Sequence, residues 1–151
     1  MSGPVAVQYG TRRPFAPSAP SLRRWADAAL RGAPRRAWLG IRVVGAAEGR
    51  RLNREFRGKD RATNVLSFPS GQMPSGNGPF LGDLAVCAPV VAREAREQGK
   101  SLRAHWAHMV VHGTLHLLGH DHRTESEAGV MEAREIAILA RLGFGNPYEL
   151  E

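Results

Sequence analysis

Within the run His112-Gly113-Thr114-Leu115-His116-Leu117-Leu118-Gly119-His120-Asp121-His122, two histidines stand four residues apart. At that spacing His112 and His116 share one face of an α-helix, one turn from each other, and their ring nitrogens can converge on a single cation. Gly119 supplies a way to a third ligand. Glycine tolerates the left-handed backbone that ends helices, so the chain can turn there and bring His122 back. Three neutral imidazoles suit zinc, and three protein ligands leave one tetrahedral position open for water, the arrangement of a catalytic site. His120 has no helical partner and is expected to line the site. His105 and His108 fall in the same helical stripe and are expected to support, pack or face substrate. A His108/His112 pair is a geometrically allowed alternative.

An open zinc site makes hydrolysis the default chemistry. The His-x3-His-x5-His spacing is similar to that of metzincin peptidases, which carry a glutamate as general base directly after the first histidine. Here that position is Gly113. Losing a general base costs about 10²–10⁴ in rate, which weakens the peptidase reading. Asp121 and His120 remain candidates for proton transfer, although an aspartate beside a ligand also serves to orient an imidazole.

A second charged stretch precedes this one. Phe56-Arg57-Gly58-Lys59-Asp60-Arg61-Ala62-Thr63-Asn64 puts three cations and one carboxylate in a turn ahead of a short strand. Arg57 and Lys59 delivered beside a zinc site would suit phosphate, because the arginine fork grips two phosphate oxygens at once. Gly99-Lys100-Ser101 resembles the tail of a P-loop, but the earlier glycine is replaced by Glu94 and a helix precedes it, so that reading is rejected.

The elements that must position these residues follow from periodicity. Strands are predicted at Val5 to Tyr9, Trp38 to Val44, Val65 to Phe68 and Leu81 to Cys87, the last buried on both faces. A first helix carries Leu22, Trp25, Ala26, Ala29 and Leu30 inward, with Ser21 as its cap and Gly32 and Pro34 as its stop. A second runs from about Ala47 to Phe56 and is expected to bury Leu52 and Phe56. Pro89 opens a third and Gly99 closes it. Leu102 to Leu118 carries the metal ligands, seated by Trp106, Val110 and Leu117. Thr124 and Glu127 form a capping box for the last helix, whose buried stripe is Ala128, Met131, Ile138, Leu139 and Leu142. Residues 69–80 form a loop that can act as a lid. This order indicates an α+β fold with a small mixed sheet.

Composition sets the outer bounds. At 151 residues with 42% apolar content, a single globular domain is expected, with residues 1–20 and 144–151 peripheral. No apolar run approaches the ~18 residues of a membrane span, and the N-terminus lacks the apolar core of a secretory signal, so a cytoplasmic location is expected. Cys87 is the single cysteine, which excludes an intramolecular disulfide and any cysteine cluster for the metal. Lys and Arg exceed Asp and Glu by 21 to 14, which favours a polyanion as partner.

Four stretches together resemble a known family: Arg57-Gly58-Lys59-Asp60, Thr63-Asn64-Val65-Leu66-Ser67-Phe68-Pro69, Leu81-Gly82-Asp83, and His108 through His122. They are similar to the YbeY family of bacterial ribosomal RNA maturation factors, over roughly residues 50 to 148. The resemblance implies a zinc-dependent, single-strand-specific endoribonuclease in small-subunit ribosomal RNA maturation and ribosome quality control. It implies one Zn2+ per chain on His112, His116 and His122, a catalytic part for Arg57 and His112, and substrate contacts from Arg57 and Lys59. It implies a four-stranded mixed sheet, single-stranded or ribosomal RNA as substrate, and the ribosome small subunit or its associated proteins as partners. His120 stands where the family usually has tyrosine, which alters the pocket wall and adds a possible proton carrier. Two other readings are a zinc metallopeptidase-like hydrolase with its base outside the motif, and a non-catalytic ribosome-associated RNA-binding factor with structural zinc.

Overall fold

The computed structural model describes residues 5–11, 16–31, 37–70, 80–121 and 123–149. Strand β1 (Val5–Tyr9) leads through α1 (Ala19–Ala29) to β2 (Trp38–Val44), α2 (Ala46–Arg57), β3 (Val65–Pro69) and β4 (Phe80–Cys87). Three helices follow: α3 (Ala88–Glu97), α4 (Leu102–Leu117) and α5 (Glu125–Arg141). The sheet order is β1-β2-β4-β3, with β1, β2 and β4 parallel and β3 antiparallel to β4. This is the expected α+β architecture with a four-stranded mixed sheet.

Helix α4 is the centre of the molecule, touching α1, α3, α5, β3 and β4. Trp106, Val110 and Leu117 are buried as expected, and so are Ala107, Val111 and Leu115, so it is enclosed on nearly every side. Alternation along β4 sends Leu84 and Val86 into this main core and Ala85 and Cys87 into a smaller cluster on the opposite face, with Leu66 and Val90. Both faces of β4 are therefore buried, as its apolar run requires. Gly113 lets α4 approach the sheet closely: a Cβ there would meet Leu84 Cδ2 at 2.9 Å and Val65 Cγ2 at 3.1 Å.

Several boundaries differ from the sequence reading. The cap of α1 is Ser18, whose side chain accepts from Ser21 N at 3.4 Å, and Pro20 occupies the first turn, where a missing N–H costs nothing. The expected stop at Gly32 and Pro34, and the candidate lid over 71–79, lie outside the described residues. Helix α2 half-buries Leu52, but Phe56 is 61% exposed, in an edge-to-face pair with Phe68 at 5.1 Å between ring centroids. The physical reason is that β3 is the sheet's edge strand, so the apolar stripe of α2 outruns the surface it packs on.

The turn at Gly119 is as the sequence requires. Its φ of +100 is left-handed, His120 N donates to Leu115 O at 3.0 Å, and Gly119 N donates to His116 O at 3.0 Å. This paired closure ends α4 at Leu117, one residue past His116.

Candidate metal centre

The last two turns of α4 bring His112 Nε2 and His116 Nε2 to 3.2 Å from each other. Two nitrogens held about 2.0–2.1 Å from one tetrahedral ion would be about 3.3 Å apart, so this pair has the spacing of two ligands on one centre. Which nitrogen of His112 can bind is decided from behind. Its Nδ1 lies 2.5 Å from Glu135 Oε1, and an ionised carboxylate only accepts, so Nδ1 carries the proton and Nε2 presents its lone pair to the cleft. The residues present fit a metal ion. His122, the third expected ligand, lies outside the described residues.

Glu135 is fully buried in α5. His108 Nε2 donates to its Oε2 at 3.0 Å, and the Tyr148 hydroxyl donates to the same oxygen. Burial alone would push this carboxyl up, but the hydrogen bonds from His108, His112 and Tyr148 outweigh it and hold the pKa down to about 2. Burial and the Glu135 carboxylate together push the Tyr148 phenol up, which keeps it protonated as a donor. Ligand atoms of His108, His112 and Glu135 lie within 4.8 Å of one another, close enough to share an ion, and this group includes the His108/His112 pair. Their contacts favour another use. A separation of 2.5 Å is shorter than two ligands keep around one ion, and three donors already occupy the carboxylate. The group therefore acts as a brace that orients His112.

Neither Glu135 nor Tyr148 was found from the sequence. A signal for Glu135 was present: it falls on the buried stripe Met131, Glu135, Ile138, Leu139 at a position that otherwise demands an apolar side chain. Tyr148 belongs to the C-terminal stretch expected at the periphery, and no local pattern points it at α5. Of the uses expected for His105, supporting, packing or facing substrate, it takes the packing one: it is buried, its Nε2 meets Glu94 Oε1 at 2.9 Å, and Glu94 also accepts from Asn64 Nδ2 at 3.0 Å.

In front of the histidines is an open cleft of about 930 Å³. Arg57, Lys59, Arg61 and Arg123 line it together with His112, His116, His120 and Asp121. The loop after α2 is shaped to present its cations. Gly58 takes the left-handed cap at φ +71, and Asn53 Nδ2 holds Arg61 O at 2.8 Å. Arg50 grips both oxygens of Asp60 at 2.8 Å, a pairing that holds the Asp60 carboxyl below its ordinary range. The loop's one carboxylate is thus engaged by Arg50, and Arg57, Lys59 and Arg61 line the cleft. Arg57 Nη2 rests on Ser67 O at 3.3 Å, and Ser67 Oγ donates to Gly113 O at 3.2 Å, linking the arginine to the residue after His112. Arg123 Nε meets Asp121 Oδ2 at 2.9 Å.

The family model described as "Endoribonuclease YbeY" matches residues 18–143. The chain belongs to the YbeY family. Among similar YbeY proteins are one from Stenotrophomonas maltophilia (strain K279a) and one from Xanthomonas axonopodis pv. citri (strain 306), both named Endoribonuclease YbeY. Each is 58% identical over 149 residues, covering 95% of this chain and 92% of the relative. A Thermotoga maritima protein solved in solution shares the fold with a TM-score of 0.57 at 21% identity, covering 96% of this chain and 99% of that one. The YbeY match begins at residue 18, so it takes in α1 and β2, ahead of the motifs that carry the resemblance in sequence. Among the described residues no helix is long and apolar enough to cross a membrane.

Proposed function

We propose that the chain is a zinc-dependent, single-strand-specific endoribonuclease, acting in the cytoplasm in small-subunit ribosomal RNA maturation and ribosome quality control. The observation that carries this reading is the pair of facing Nε2 atoms on His112 and His116 in a cleft lined by arginine and lysine. Membership of a family of endoribonucleases supports RNA as the substrate, and the excess of basic over acidic residues agrees with it. One Zn2+ per chain would be held by His112, His116 and His122. What a bound zinc ion supplies is Lewis acidity, activating water near neutral pH and polarising a phosphate oxygen.

The chain's own groups do the rest. Glu135 keeps His112 in the tautomer that can bind. Arg57, adjustable above Ser67, stabilises negative charge growing on the phosphate, and Lys59 adds a contact to the strand. His120 and Asp121 line the same cleft and can move a proton. Partners that deliver the RNA are expected at the ribosome small subunit.

Cleavage of end-labelled single-stranded RNA by zinc-loaded protein tests this, beside His116→Ala and Arg57→Ala. Loss in both variants supports the reading, and cleavage surviving both would sink it. If the wild type binds RNA without cutting it, and chelation melts the fold instead of silencing an activity, a structural zinc in an RNA-binding factor replaces it. Steady cleavage of an unstructured protein, abolished by His116→Ala, would restore the peptidase reading.

A further inference from the structure

A second opening, of about 430 Å³, lies between α1 and the end of α5. Arg23, Arg24, Arg31 and Arg141 line it, and Asp27 is the one carboxylate among the described residues that does. Arg23 is already committed: its Nε donates to Val5 O at 3.2 Å, and its charge acts on Asp27. Among the described residues Arg24, Arg31 and Arg141 have no carboxylate within 4.0 Å. Arg103 extends the patch, with Nη1 3.2 Å from Ser21 Oγ and its guanidinium 5.0 Å from the Trp25 ring centroid.

Among the described residues this opening shares no lining residue with the metal cleft. Arg103, at the edge of the patch, is in the first turn of α4 and His116 in the last, about 20 Å along the helix at about 1.5 Å per residue. Clustered guanidinium groups repel one another. A polyanion relieves that repulsion, and each arginine can grip two phosphate oxygens. Arg24 lies on α1 and Arg31 just past its C-terminal end, and with Arg141 they line one opening, so several phosphates of a strand can be met there. Among the described residues no aromatic side chain lines the opening.

We propose that this arginine-lined opening is a second RNA-backbone site, holding the strand independently of base sequence while the metal cleft cuts it. The proposal rests on the reading of the metal cleft as an RNA site, and the test separates the two.

The experiment measures binding of a labelled single-stranded RNA of about 30 nucleotides, and of one of about four, over a range of salt. An RNA of about four nucleotides carries only about three backbone phosphates, too few to engage the cations of both sites at once. The variant combines Arg24→Gln, Arg31→Gln and Arg141→Gln. A control combines Arg93→Gln, Arg96→Gln and Arg134→Gln, exposed arginines outside the opening that lower the net charge equally. The first variant should weaken the long RNA about tenfold or more and reduce its salt slope by about 2, at roughly 0.7 per phosphate. Its short-RNA affinity, zinc content and unfolding temperature should stay at wild-type values. Unchanged long-RNA binding, or an equal loss in the control, would overturn this site alone. Failure of the wild type to bind either RNA would overturn the metal-cleft reading and this site together.

Discussion

His112 is held from both sides: Glu135 Oε1 stands 2.5 Å from its Nδ1, while its Nε2 faces that of His116. Removing the brace should loosen the metal without dissolving the fold. Glu135→Gln keeps the shape but no longer obliges His112 to bear its proton on Nδ1, so zinc affinity should fall about 10–100-fold. Competition against a chromophoric chelator reads this directly, and an unchanged affinity would remove Glu135 from the metal's support.

Arg57 is exposed and, among the described residues, makes one hydrogen bond, to Ser67 O. Its replacement by alanine should leave stability within about 0.5 kcal/mol of wild type, as for other surface positions. RNA cleavage should fall about 10²-fold or more, the usual cost of losing a donor to developing charge. Zinc content, measured on the same preparation, should not change; a parallel loss of metal would contradict the assigned role.

Gly113 is a packing requirement. Its neighbours Leu84 and Val65 leave no room for a methyl group, so Gly113→Ala should destabilise the protein by about 1–3 kcal/mol in urea unfolding. Gly113→Glu should cost more and should not create a peptidase. A stable, peptide-cleaving Glu variant would refute this account of the position.

His105 should give stability a pH dependence. Burial pushes its pKa down, and Glu94 pulls it partly back. The unfolded chain then takes up a proton near the ordinary value of 6.5 that the folded chain accepts only at lower pH. Its effect is therefore a loss of stability as pH falls through 6.5 towards the folded value, and none at higher pH. In His105→Gln, which retains a donor for Glu94, the difference in unfolding free energy between about pH 7.5 and about pH 5.5 should shrink. An identical difference in both proteins would mean that other groups set the slope.

Much of this molecule was legible in local sequence because helices and strands impose short periods. The pair His112 and His116, the turn at Gly119, the double-sided burial of β4 and the stripe through Met131, Ile138 and Leu139 each depend on residues within a few positions of one another. What depends on distant contacts was not legible. Phe56 is exposed because the sheet ends at β3, a consequence of inserting β4 between β2 and β3 that no pattern inside α2 records. Glu135 meets His112 across 23 residues and Tyr148 meets His108 across 40, and only the packing of α5 and the segment after it on α4 makes them partners. The sequence by itself determined that two imidazoles would share one face of a helix. Tertiary structure decided which nitrogen of His112 faces the cleft, because that depends on where a buried carboxylate lies.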